Sequence, residues 1–181
     1  MTQQTISILA ELFEEFGQNT YGEACSQIAH AISCAQFAAL KQYSELLVIS
    51  AFLHDIGHLI ADREQLSGLT ELGYPQHDEL AANWLCAQGF PPTVTEPIRL
   101  HVAAKRYQAR IGLQHLSPAS LATLEEQGGL MDDEEAQSFE QHPYSNEALL
   151  LRQCDDAGKP DSTAEIDLKF WLNLVETFLV R

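Results

Sequence analysis

The sequence predicts an all-α fold in a single domain spanning residues 1–181, and three observations carry that expectation. Apolar residues recur every three or four positions through nearly every long segment, the spacing that lines one face of a helix. No stretch alternates apolar and polar residues as a half-buried strand would. Capping and stop residues fall where the periodic runs begin and end.

Taken in order, residues 6–16 place Ile6, Leu9, Leu12, Phe13 and Phe16 at helical spacing, and Gly17 supplies a stop. Residues 24–41 repeat the pattern with Cys25, Ile28, Ile32, Phe37 and Leu40. Residues 44–60 (SELLVISAFLHDIGHLI) are almost continuously apolar and too long for a strand, so they predict one central buried helix with Ser44 as N-cap. After a polar loop, a fourth helix starts near His77 and closes at Gly89. The next starts around Thr95-Glu96-Pro97, with the proline in its first turn, and runs through IRLHVAAKRY. Ser117-Pro118 opens another as N-cap and first helical residue. The acidic run Met131-Asp132-Asp133-Glu134-Glu135 reads as a solvated helix start, and helices at 145–157 and 165–180 finish the chain.

Charge narrows the function. With 10 Lys+Arg against 26 Asp+Glu the chain carries −16 at neutral pH, which argues against nucleic acid or an anionic membrane as partner. No apolar run approaches a membrane span, and the N-terminus lacks the basic region of a secretory signal. Cys25, Cys34, Cys86 and Cys154 form no paired motif, which fits small apolar residues in a cytoplasmic protein.

The histidines carry the chemistry. His54-Asp55-Ile56-Gly57-His58 lies inside the most apolar helix, where imidazoles and a carboxylate are costly unless paired or bound to metal. On a continuous helix His54 and His58 would share a face, with Asp55 about 100° round from His54. His30 precedes His54, His77 and His101 follow, and Asp155-Asp156 ends a later apolar helix. Each alone is compatible with a hydrogen-bonded core residue. Together they offer inward ligands from several helices, and bundle cores are where helical proteins hold metal clusters.

In this order the residues resemble the HD-domain metalloproteins, whose H…HD…D pattern is met by His30, His54-Asp55 and Asp155, with Asp156 the neighbouring alternative. Lys159, four residues after Asp155, matches a lysine common in that superfamily. The resemblance implies an HD-type bundle in which those four residues hold one ion, while His77 and His101 hold a second ion bridged by Asp55. A narrower resemblance rests on YGEACSQIAHA (21–31), HDIGH (54–58), HVAAKRY (101–107), LSPASLATLEEQGG (116–129) and LRQCDDAGK (151–159). It is to the mixed-valent di-iron oxygenases of phosphonate degradation.

That family implies two Fe ions, Fe(II)/Fe(III), with O2 and a small phosphonate as partners. Its reaction is C–P cleavage of a 2-amino-1-hydroxyethylphosphonate-type substrate, the amine free or N-trimethylated, to glycine or glycine betaine and phosphate. By position, Tyr21 matches a resting ligand of the second iron and Glu23 a carboxylate that recognises the amine. His58 and Lys105 match phosphonate contacts near the chemistry, and Ser120 and Thr123 match hydroxyls that bond phosphonate oxygens. Tyr21-Gly22-Glu23 are consecutive where the family often has one more residue, and the loop after Tyr107 is shorter. Gly73-Tyr74-Pro75 reads as a turn. The broader superfamily leaves open a metal-dependent phosphohydrolase of a small phosphate ester; a non-catalytic metal-stabilised module is the remaining class.

Overall fold

The computed structural model describes residues 2–113, 116–158 and 167–181. The elements are α1 (Thr2–Phe16), α2 (Gln27–Leu40), α3 (Glu45–Leu53), α4 (Ile56–Glu64), α5 (His77–Ala87), α6 (Pro92–Arg99), α7 (His101–Ala109), α8 (Pro118–Leu124), α9 (Asp133–Gln141), α10 (Ser145–Ala157) and α11 (Leu168–Leu179). No strand occurs among the described residues, so the all-α expectation holds. No helix among them is long and apolar enough to cross a membrane.

The core forms around α3, whose residues from Leu47 to Leu53 are all buried against α2, α6 and α10. Phe52 lies between Phe13 and Trp171, with ring centroids 5.1 and 5.8 Å away, which ties α1 and α11 to the centre. Burying one such side chain is worth about 1.5–3 kcal/mol. Ser50 is satisfied inside this core because its hydroxyl donates to the carbonyls of Leu46 and Val94. A smaller cluster of Ala104, Met131, Ala136, Phe139 and Ala148 joins α7, α9 and α10.

Two long helices expected from hydropathy are each two helices. The run 44–60 breaks at His54-Asp55 into α3 and α4, with Asp55 at φ −100°, ψ 5°. Both halves are buried, so apolar periodicity runs on unbroken across the bend. The segment expected to start near Thr95 begins at Pro92, leaves Pro97 inside α6 and breaks at Leu100 before α7. The helix expected over 24–41 begins at Gln27, where the Ser26 side chain caps Ala29. Ser44 and Ser117 cap α3 and α8 as expected, and the acidic run starts α9 through a capping box of Asp132 with Glu135. The last helix begins at Leu168, capped by Asp167; residues 165 and 166, like Lys159, lie outside the described residues.

Candidate metal centre

The break between α3 and α4 positions the site. It places Asp55 between two histidine pairs drawn from four other places in the chain. On one side, Asp55 Oδ2 lies 3.4 Å from His30 Nε2 and 3.3 Å from His54 Nε2. On the other, Asp55 Oδ1 lies 3.4 Å from His77 Nε2 and 3.6 Å from His101 Nε2. Asp155 Oδ1 completes the first group, 3.3 Å from His30 Nε2. His54 and His58 do not act as one face, because the bend separates them: His58 instead stacks on His77 at 3.9 Å between centroids.

Backbone carbonyls fix the four inward rings. His30 Nδ1 donates to Gly158 O at 2.8 Å, His54 Nδ1 to Ala51 O at 2.9 Å, His77 Nδ1 to Tyr74 O at 3.0 Å and His101 Nδ1 to Ile98 O at 2.7 Å. A carbonyl only accepts, so each Nδ1 carries a proton and each Nε2 faces inward, where a neutral ring offers a lone pair. Those lone pairs face each other at 3.3 Å between His30 and His54 and at 3.0 Å between His77 and His101. Such lone pairs repel unless a proton or a metal ion lies between them. The residues therefore fit two bound ions sharing one carboxylate, and imidazole with carboxylate suits iron, manganese and similar metals.

Cys34 also approaches His30, but its Sγ is 3.7 and 3.6 Å from the two ring nitrogens. The sulfur thus sits beside the His30 ring, and with His30 and His54 its ligand atom lies within a 4.8 Å group that could also hold an ion. Burial, followed by the neighbouring His30, sets the balance on that thiol, and the net effect is upward.

Electrostatics favours charged carboxylates and neutral rings at His58 and His101. Burial opposes ionisation of Asp55, yet the surrounding imidazoles, His54 first, hold its carboxyl well below the usual range. Asp155 is likewise held low against burial by Arg152. Burial, aided by His77, pushes His101 down to about 3 and holds His58 well below its ordinary value. His58 Nδ1 accepts the Tyr74 N–H at 2.9 Å, so its proton sits on Nε2.

Gly73-Tyr74-Pro75 is thus a turn, and one that orients two imidazoles. Tyr74 donates its N–H to His58 and accepts from His77 through its carbonyl. Gly73 permits this at φ 92°; a Cβ there would stand 2.4 Å from His58 Nδ1.

Beside the cluster opens a cavity of about 60 Å³, room for a small ligand, lined in part by Tyr21, Glu23, His58, Lys105, Ser120 and Thr123. Every site residue expected from the sequence lies in the cluster or on this wall. Lys105 is only 4% exposed, and its ammonium donates to Thr123 Oγ1 at 2.9 Å. Ser117 Oγ donates to Glu23 Oε1 at 3.3 Å and lies 3.1 Å from Ser120 Oγ, the other hydroxyl of the pair. The Tyr21 ring lies 4.8 Å from that of His58, while its hydroxyl is hydrogen-bonded to Asp62 on α4. In this arrangement the phenol is engaged away from the histidines.

Sequence reasoning missed Arg152, which also lines the cavity. It is 2% exposed, pairs with Asp155 at 2.5 Å and with Asp156, and donates to Ser120 Oγ at 3.2 Å. The signal was a lone arginine in an apolar helix, three residues before an expected ligand. The same contacts separate the two aspartates, since Asp155 faces His30 while Asp156 is turned to Arg152.

No protein-family model matches the chain. It is 39% identical over 181 residues to the hydroxymethylphosphonate dioxygenase of Gimesia maris, covering 97% of this chain and 89% of that one. It is 34% identical over 158 residues to the [1-hydroxy-2-(trimethylamino)ethyl]phosphonate dioxygenase (glycine-betaine-forming) of Leisingera caerulea, covering 85% and 80%. An uncharacterized protein of Acanthamoeba polyphaga mimivirus is 34% identical over 180 residues, covering 97% and 82%.

Proposed function

Because the chain belongs to the family of phosphonate dioxygenases represented by these relatives, we propose that it cleaves the C–P bond of a 1-hydroxyalkylphosphonate with O2. The substrate is of the 2-amino-1-hydroxyethylphosphonate type, with the amine free or N-trimethylated, and the products are glycine or glycine betaine and phosphate. Substrate plus O2 balances those products with no further reductant. The single observation that carries the reading is Asp55, whose two oxygens serve two separate histidine pairs.

In this reading His30, His54, Asp55 and Asp155 hold one iron, and Asp55, His77 and His101 the other, as a mixed-valent Fe(II)/Fe(III) pair. When bound, the two ions supply a Lewis acid for the hydroxyl and phosphonate oxygens and a redox partner for O2. The protein does the rest by binding and orientation. Lys105 and Arg152 bring buried positive charge to the phosphonate, assisted by Ser120 and Thr123. His58, neutral and protonated on Nε2, offers a donor without adding charge. Glu23, hydrogen-bonded by Ser117, gives the carboxylate for a substrate cation. Tyr21 covers His58 and is held by Asp62; leaving Asp62 would free its hydroxyl for the second iron.

The test is to incubate iron-loaded protein with 1-hydroxyphosphonates without O2 and then admit O2, measuring phosphate. Phosphate appearing only after O2 supports the reading. Phosphate released from a phosphate ester or phosphonate before O2 would identify a hydrolase.

A further inference from the structure

Among the described residues, one buried side-chain polar atom has no hydrogen-bond partner: Gln127 Oε1. It stands on the wall of the cavity beside the cluster. A buried carbonyl oxygen left without a donor costs free energy, so such groups are normally completed by water or a bound ligand.

Its position is defined from both sides. Gln127 N donates to Thr123 O, so Ser120, Thr123 and Gln127 present one helical face, and all three line the cavity. Thr123, one turn before Gln127, is the residue that Lys105 reaches. The two residues after it are clasped to α7: Arg106 donates from Nε to Gly129 O at 2.9 Å and from Nη2 to Gly128 O at 3.1 Å. Gly128 and Gly129 take φ values of 102° and 66°, which glycine adopts at little cost. The oxygen is therefore an acceptor on an anchored stretch of chain, on the wall that the buried Lys105 also lines.

An oxyanion drawn to that ammonium meets the acceptor comfortably only if one of its own oxygens carries a proton. We propose that Gln127 is a specificity-determining residue that accepts a hydrogen bond from the P–OH of a singly protonated phosphonate, selecting it over oxyanions with no proton to give, such as sulfate and sulfonates. A site built around a hydrogen bond rejects the analogue lacking it because the protein group is then left unpaired. The assignment rests on the phosphonate reading of the cavity and adds which form of the anion it takes.

Inorganic phosphate, which keeps a P–OH at neutral pH, and sulfate, which has none, are the probes. Their binding to the iron-loaded protein is measured by calorimetry. The wild type should bind phosphate at least about tenfold more tightly than sulfate. Gln127→Leu should bring the two affinities together, mainly by weakening phosphate. Gln127→Glu keeps an acceptor and should keep the preference, even as its charge weakens both anions; this also separates lost recognition from lost folding. An unchanged ratio in Gln127→Leu, or an equal loss for both anions, overturns the role of Gln127 while leaving the phosphonate reading intact. Failure of phosphate to bind the wild type overturns the oxyanion reading and the proposal with it, and equal affinity of the wild type for the two anions overturns the proposal alone.

Discussion

Asp55 alone can be shared by both histidine pairs, so its replacement should affect both ions at once. Asp55→Asn keeps the shape but loses the charge, and its iron content by elemental analysis should fall to near zero. His101→Ala should instead lose mainly the ion on the Oδ1 side. Lys105→Gln leaves the cluster intact and removes a buried cation from the cavity wall. Steady-state kinetics should show KM for the phosphonate raised about tenfold or more, with a smaller change in kcat. At this scale the inward histidines and the Asp155-Asp156 pair were legible in the sequence, because ionisable residues in apolar helices need a reason to be there, while the choice of Asp155 over Asp156 came only from the family resemblance. Arg152 and Tyr74 were not. The first had only its place three residues before an expected ligand to mark it, too little without its burial, and the second acts through its backbone, which leaves no trace in residue type.

The elements depend on close approaches as much as on helical periodicity. Gly57, in the first turns of α4, lies so near the start of α5 that an added Cβ would stand 1.9 Å from His77 O. Gly57→Ala should push α5 away, move His77 and cost about 1–3 kcal/mol in denaturant unfolding, with activity falling further than stability explains. Ser117 caps α8 and also holds Glu23. Ser117→Ala should cost about 1 kcal/mol and weaken turnover of substrates with an amine more than of those without. The helices themselves were readable from spacing and caps, down to Ser44, Ser117 and the acidic start of α9. The breaks at Asp55 and Leu100 were not, since a bend between two buried halves leaves hydropathy unchanged. The first break matters most, for it is what turns Asp55 between the pairs.

The whole molecule closes around lone pairs that need a cation, so folding and metal loading are linked. Iron added to metal-free protein should raise the Tm, and the same addition to Asp55→Asn should leave it nearly unchanged. In a chain of net charge −16, the cavity's buried cations are the local exception that admits an anion. The most direct test is anomalous scattering at the iron edge from crystals of the iron-loaded protein. The account predicts two peaks about 3.5–4 Å apart, one among His30, His54 and Asp155, the other beside His77 and His101, with Asp55 between them. A single peak, or an ion bound away from Asp55, would contradict it.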